Sequence, residues 1–128
     1  TIWIDCDVIQ ADGGTRVASI TGAYIALVDA ISWLKKNAEI TGEPLIGSVA
    51  AVSVGVVDGV PLLDLCYEED VSADVDMNIV LTGDGEYIEL QGTAEKQTFS
   101  EEELAQMIGQ AKKGIRELTL IQKDALQS

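Results

Sequence analysis

The dipeptide Asp58-Gly59, placed between two apolar runs, constrains the fold of this chain more than any other feature. Asp-Gly favours a two-residue turn between antiparallel strands, because both central residues of that turn need a positive φ. An apolar, β-rich run over residues 48–57 precedes the turn, and we expect residues 61–67 to return as its partner strand. The sequence therefore predicts a sheet that contains an antiparallel hairpin.

Apolar periodicity extends this prediction to the rest of the chain. Strand patterns cover residues 2–10, 48–57, 61–67, 76–82 and 86–93. Helix patterns cover residues 15–36 and a stretch that begins at the Ser100–Glu103 capping box and ends near residue 123, with an acidic loop or short helix over 68–75. This order of elements predicts an α+β sandwich, with a mixed, largely antiparallel sheet and the helices on one face.

Composition limits the chemistry that the chain can perform. Its 128 residues suit a single domain, and they include 22 acidic and 8 basic side chains, for a net charge of −14. Such a charge, taken alone, argues against a nucleic acid as partner. There is no histidine, which excludes zinc sites built on imidazole and nucleophiles activated by histidine. No apolar run is long enough to predict a membrane span, so we expect no membrane partner.

The first residues also carry a prediction. The chain starts at Thr1, inside a strand pattern, with no cap or turn before it. A strand needs a neighbour, so we expect residues 1–128 to be the C-terminal portion of a longer protein. No charged-then-apolar leader precedes this strand, and we therefore expect no secretory signal.

A candidate anion site lies in the segment Ala11-Asp12-Gly13-Gly14-Thr15-Arg16, between the first predicted strand and the first predicted helix. The first N–H groups of a helix have no intrahelical partner and attract anions, phosphate above all. Arg16 adds a permanent cation with a planar donor fork, and Thr15 adds a hydroxyl. We predict a phosphate site at Gly14, Thr15 and Arg16. The alternative is a plain connection with a solvated arginine.

A second candidate site is acidic. Five carboxylates lie between Glu68 and Asp76, and most such runs are simply solvated. Asp70 closes one predicted strand and Asp76 opens the next, where an acid is disfavoured. Carboxylates at the ends of adjacent strands can converge on one Mg²⁺ ion, whose other ligands are waters and substrate phosphates. Either acid could instead donate or accept a proton. A phosphate site beside a carboxylate pair suits phosphoryl chemistry with a metal ion.

The same residues carry a resemblance to a known family. The run from Asp5 to Arg16, followed by Ala18-Ser19-Ile20-Thr21-Gly22-Ala23, closely resembles ribonuclease PH. The resemblance continues through Leu63-Asp64-Leu65, Tyr67-Glu68-Glu69-Asp70, Asp76-Met77-Asn78 and Glu89-Leu90-Gln91-Gly92-Thr93-Ala94-Glu95. It covers essentially the whole chain.

The resemblance implies a fold and an activity. The fold is the ribosomal-protein-S5-domain-2-like sandwich, and the activity is phosphate-dependent 3′→5′ exoribonuclease action, in a cytoplasmic protein, on tRNA precursors and other RNA. Inorganic phosphate attacks the last phosphodiester and releases a nucleoside diphosphate. By resemblance, Gly14, Thr15 and Arg16 hold this phosphate, and Asp70 and Asp76 are the catalytic and Mg²⁺-associated carboxylates. The implied assembly is a hexameric ring of dimers.

The resemblance also bears on the charge. The N-terminal half of the family's domain, with a second phosphate-binding arginine and the basic residues that grip RNA, is not in these 128 residues. We therefore expect the chain alone to hold an incomplete site. Two other functions stay open. One is a non-catalytic ring subunit of an exosome-like assembly, which the presence of Thr15, Arg16, Asp70 and Asp76 disfavours. The other is an acidic structural or binding domain without chemistry.

Overall fold

The computed structural model describes residues 1–37 and 39–127. Four strands form one sheet in the order β2-β1-β3-β4, and every pair of neighbours is antiparallel. The strands are β1 (Val49–Val57), β2 (Val60–Leu63), β3 (Val75–Thr82) and β4 (Tyr87–Ala94). The helices are α1 (Thr15–Lys36), α2 (Tyr67–Ser72) and α3 (Glu101–Ala125). This architecture confirms the predicted α+β class with its antiparallel sheet.

Local sequence signals account for the two sharpest boundaries. Asp58 and Gly59 have φ values of 50° and 75°, and Val57 pairs directly with Val60 across them, as the Asp-Gly signal predicts. At the start of α3 the Glu103 N–H donates to Ser100 Oγ over 3.2 Å, and the Ser100 N–H donates to Glu103 Oε2 over 2.7 Å. This capping box satisfies two backbone donors at once.

The two long helices pack on different faces of the sheet, so the expectation that they share one face was wrong. Alternate residues of β1 and β3, such as Val52 and Ile79, pack with Met107 and Ile115 of α3. The residues between them, such as Ala51 and Val80, pack with Val17 of α1. A strand that is buried on both faces has an apolar run without alternation, and β1 has such a run. A run of this kind does not indicate which helix covers which face.

The strand predicted over residues 2–10 is also absent. Residues 1–14 contain neither helix nor strand. A strand needs backbone partners, and the described sheet pairs no strand with this segment. Its apolar side chains are exposed, Trp3 at 91% and Ile9 at 97%. The partner strand predicted over 61–67 ends early, at Leu63, since Asp64 adopts a positive φ of 59° and turns the chain out of the sheet.

Helix α1 is long and apolar enough to cross a membrane by length and composition, with a mean hydropathy of 1.6 over an 18-residue window. The expectation that no apolar run reaches this length was therefore wrong. Such a helix is weak evidence for a membrane span, since helices in soluble domains meet the same criteria. Here Val17 and Ile31 of α1 are buried within the described residues, and Thr21 bonds to the sheet.

Side chains of both long helices complete the edge of β1 beyond the short strand β2. The Ala51 N–H donates to Thr21 Oγ1 over 3.0 Å, and this hydroxyl donates to the Ala51 carbonyl over 3.2 Å. Gln122 of α3 is buried, and its Nε2 donates to the carbonyls of Thr21 and Val49 over 2.9 and 3.0 Å. The edge of the sheet is therefore satisfied by polar side chains, which join α1, β1 and α3.

We expect Thr21→Val to lower the free energy of unfolding by about 1–3 kcal/mol, because it leaves the buried Ala51 N–H without its acceptor. The matched control is Thr119→Val. Its hydroxyl bonds to the Ile115 carbonyl of its own helix, so the loss should stay below about 0.5 kcal/mol. Urea denaturation followed by circular dichroism measures both. Equal losses would show that the Thr21 hydroxyl has no special role at the sheet edge.

Candidate functional site

The turn before α1 exposes backbone donors. Gly13 and Gly14 have φ values of 75° and 54°, and Gly14 is the N-cap residue without a side-chain cap. The first intrahelical bond runs from the Ala18 N–H to the Gly14 carbonyl over 3.0 Å. The preceding N–H groups, on Thr15, Arg16 and Val17, have no intrahelical partner. The structure thus brings the predicted residues Gly14, Thr15 and Arg16 together at a helix start that favours an anion.

This turn is packed directly onto the segment that leads into α2. A Cβ atom on Gly13 would lie 2.3 Å from the Leu65 carbonyl oxygen and 2.9 Å from the Cys66 carbonyl carbon. Asp12 adds a hydrogen bond, as the Tyr67 N–H donates to its Oδ1 over 3.1 Å. The turn and the start of α2 are therefore held against each other by a close backbone contact and a carboxylate.

Helix α2 carries the first of the two predicted acids. Its capping box uses Glu69, whose Oε2 accepts the Cys66 N–H over 2.9 Å, so this carboxylate has a structural task. Asp70 follows in the same helix and is exposed. The predicted acidic loop or short helix is thus a helix. The expectation that Asp70 closes a strand adjacent to that of Asp76 was wrong, because β2 ends at Leu63 and β1 lies between β2 and β3.

Asp76, the second predicted acid, is near Asp70 in the fold. It lies in β3, where it pairs with Gly55 on one side and Thr93 on the other. Partial burial raises the pKa of Asp76, and the charges of Asp70 and Glu95 raise it further, while a hydrogen bond from the Met77 backbone lowers it. The structure therefore places Asp76 among other anions, in an environment that disfavours its own charge.

The two acids suit a divalent cation by their donor chemistry. Carboxylate oxygens are the ligands that Mg²⁺ prefers, and Mg²⁺ binds through one or two of them while it keeps several waters. Within residues 1–37 and 39–127, no group of three or more acidic or cysteine side chains is arranged to hold a metal ion. Asp70 and Asp76 are two carboxylates, so water and substrate oxygens would have to complete the shell of any Mg²⁺ ion that they held.

Arg16 does not extend freely into solvent. Its Nη1 donates to Glu89 Oε1 over 2.7 Å and its Nη2 donates to Glu89 Oε2 over 2.9 Å. This pairing with Glu89 raises the pKa of Arg16 and lowers the pKa of Glu89. Glu89 lies in β4 opposite Val80, on the side of the sheet that α1 covers. Among the described residues, no hydrogen bond or ion pair links Arg16 to Asp70 or Asp76.

Sequence reasoning missed three acidic residues that build this site. Glu89 holds Arg16, Asp12 clamps the turn, and Glu95 adds charge near Asp76. Asp12 had a local signal, since it adjoins the glycine pair. Glu89 belongs to a motif that carries the resemblance, but no signal pairs it with Arg16, because that contact depends on how α1 lies across the sheet.

Comparisons with known proteins show which family and which proteins this chain is similar to. Residues 47–114 match a family described as the 3′ exoribonuclease family, domain 2. Ribonuclease PH of Corynebacterium efficiens is 61% identical over 126 residues, and that of Corynebacterium glutamicum (strain R) is 60% identical over 126 residues. Each alignment covers 98% of this chain and 51% of the relative, so the chain spans about half the length of these curated relatives.

The fold also has a counterpart among solved structures. The crystal structure of rice (Oryza sativa) Rrp46 superimposes with a TM-score of 0.74, covering 94% of this chain and 51% of that one. The two sequences are 20% identical over this alignment, so the comparison shows the fold alone.

We expect Gly13→Ala to destabilise the protein more than Gly85→Ala. Both glycines have a positive φ, which costs a non-glycine residue about 1–2 kcal/mol. A Cβ at Gly85 meets open space, whereas one at Gly13 meets backbone atoms that cannot rotate away, which should add about 1–3 kcal/mol. Thermal unfolding of the two variants measures the difference. Equal effects would rule out the close contact as a constraint.

We expect Asp76→Asn to stabilise the fold at neutral pH. The pKa of Asp76 is raised in the folded state, so its ionisation opposes folding as the pH rises through that pKa. The advantage of the asparagine should be present at pH 7 and shrink as the pH falls below ~4, where the carboxyl becomes protonated in both states. Thermal unfolding between pH 3.5 and 8 measures this, with Asp29→Asn on the exposed side of α1 as control. A variant less stable than the parent at pH 7 would contradict it.

Proposed function

Because this chain belongs to the 3′ exoribonuclease family, we propose that it provides the phosphate site and the acidic pair of a phosphorolytic exoribonuclease. The observation that carries the proposal is the uncapped helix start at Gly14, with Arg16 held beside it and with Asp12 tying the turn to the helix of Asp70. The proposed anion site and the helix that carries Asp70 are thus held together. Phosphate on one and a metal-bound RNA end on the other match the two reactants of phosphorolysis.

The proposed reaction transfers a nucleotidyl group to inorganic phosphate. A phosphate oxygen, oriented by Arg16, Thr15 and the N–H groups of the α1 start, forms a bond to the phosphorus of the last phosphodiester. The bond from that phosphorus to the 3′ oxygen of the preceding nucleotide breaks, and a nucleoside diphosphate leaves. The RNA, one nucleotide shorter, keeps a 3′ hydroxyl, whose oxygen must gain a proton.

The acidic pair has two alternative tasks in this proposal. Asp70 and Asp76 would hold Mg²⁺, which would neutralise charge on the phosphate oxygens during transfer. In the alternative, Asp76 would donate a proton to the leaving 3′ oxygen instead of binding the metal, a task that its raised pKa suits. The neighbouring charges of Asp70 and Glu95 favour a cation or a proton at Asp76 in either case.

The partners in this proposal lie outside these 128 residues. Four of the eight basic residues, Lys112, Lys113, Arg116 and Lys123, lie on α3, on the face of the sheet opposite α1. The net charge of −14 repels RNA from the rest of the surface. We propose that a region equivalent to the other half of the curated relatives binds the RNA and completes the site, in a cytoplasmic ring of subunits, a hexamer built from dimers, that trims tRNA precursors.

The proposal is tested on the polypeptide that carries both halves, with a tRNA precursor as substrate. We expect shortening from the 3′ end that requires inorganic phosphate and Mg²⁺ and releases nucleoside diphosphates. Release of nucleoside monophosphates without phosphate would identify a hydrolase instead. No shortening under either condition, with RNA bound, would favour a non-catalytic ring subunit.

In the same assay we expect Arg16→Ala to lower kcat/KM for phosphate by about 10–150-fold. This range corresponds to the loss of a charge-assisted hydrogen bond worth about 1.5–3 kcal/mol. RNA affinity should change little, since the contact is to phosphate. Arg116→Ala is the matched control, because Arg116 lies on α3 and bonds to the Lys112 carbonyl of its own helix. A collapse of RNA binding with unchanged phosphate saturation would refute the assignment of Arg16.

A further inference from the structure

We propose that Glu89 is a positioning residue for Arg16. It binds the end of the guanidinium formed by Nη1 and Nη2 and leaves the edge formed by Nε and one Nη open to phosphate. This inference rests on the proposed function and assigns a task in it to a residue of β4. Its basis is the bidentate pair of Glu89 and Arg16, in which each carboxylate oxygen accepts from a different Nη atom.

The geometry of the pair shows whether Glu89 orients Arg16 or occupies the donors that phosphate needs. A guanidinium has five N–H groups, one on Nε and two on each Nη. The two bonds to Glu89 use one N–H on Nη1 and one on Nη2. Three donors remain, including the Nε–H and the Nη N–H beside it. That edge can still bind two oxygens of a phosphate, so the carboxylate orients the arginine without occupying its anion-binding side.

Arg16 needs such a support because of where it lies. It is the second residue of α1, and its side chain is 52% exposed, so packing alone does not fix it. A long arginine side chain in solvent samples many rotamers, and binding an anion then requires it to be ordered first. A carboxylate that orders the guanidinium beforehand reduces this requirement.

Glu89 is placed to provide the support. It lies in β4 opposite Val80, which packs with Val17 of α1, so register and helix packing together set the distance between the two side chains. In β4, Glu89 is the half-buried residue among seven exposed ones. A surface ion pair without a function would contribute little to stability and nothing to phosphate binding. An effect of Glu89 on phosphate binding therefore distinguishes a positioning residue from such a pair.

The decisive variants are Glu89→Gln and Glu89→Asp, made in the polypeptide that carries both halves, with Glu86→Gln just before β4 as control. Glutamine keeps the length of the side chain but loses the charge and one acceptor. Aspartate keeps the charge but is too short for both bonds. We expect Glu89→Gln to raise KM for phosphate about tenfold and Glu89→Asp to raise it less, with kcat at saturating phosphate and KM for RNA within about twofold of the parent.

Two measurements do not depend on catalysis. In ¹⁵N NMR, the Nη signals of Arg16 should be resolved in the parent and averaged in Glu89→Gln, since the carboxylate slows rotation of the guanidinium. The Arg16 Nε signal should shift on addition of inorganic phosphate, at lower concentration in the parent than in Glu89→Gln. In an Arg16→Ala background, Glu89→Gln should not weaken phosphate use further, because the pair acts as a unit.

The outcomes separate this inference from the proposed function. An active parent with unchanged phosphate KM in Glu89→Gln would overturn the positioning role and keep the function. Tighter phosphate binding in Glu89→Gln would also overturn it, because it would show that the carboxylate blocks Arg16. A parent without phosphorolysis whose Arg16 signals still respond to phosphate in a Glu89-dependent manner would retain the positioning role and remove the function.

Discussion

The close approach of Gly13 to the backbone of Leu65 and Cys66 is the contact on which the candidate site depends. It brings two segments together that are more than fifty residues apart in the chain, the turn before α1 and the start of α2. A side chain at this position would separate them, since the nearest atoms are backbone atoms. Asp12 then fixes the contact with a hydrogen bond to Tyr67. The candidate anion site and the helix of Asp70 are thus held against each other.

The rest of the fold holds this unit in place. Helix α1 carries the candidate anion site and is bound to the edge of β1 through Thr21, while Gln122 connects the same edge to α3. Because polar side chains replace a neighbouring strand along this part of β1, the position of α1 is set by directional bonds as well as by apolar packing. That precision matters for Arg16, which must reach Glu89 on β4, the strand beyond β3 in the sheet.

The sequence predicted the elements that short local signals determine. Asp58-Gly59 and the Ser100 capping box are such signals, and both are present as predicted. The strand over residues 2–10 failed because strand formation needs a partner that local pattern does not reveal. The placement of both helices on one face failed since a strand buried on both faces looks the same from either side. The pairing of Arg16 with Glu89 depends on register and helix position together, which is why no pattern indicated it.

The tasks of the acidic side chains indicate which of them are available for chemistry. Asp12, Glu69, Glu89 and Glu103 each accept hydrogen bonds that fix a turn, a helix cap or an arginine. These acids stabilise structure, and their charge is compensated by the donors that they bind. Asp76 differs, because partial burial and neighbouring anions oppose its ionisation. An environment that opposes the charge of Asp76 favours a cation or a proton beside it, which is why we propose this acid for the chemistry.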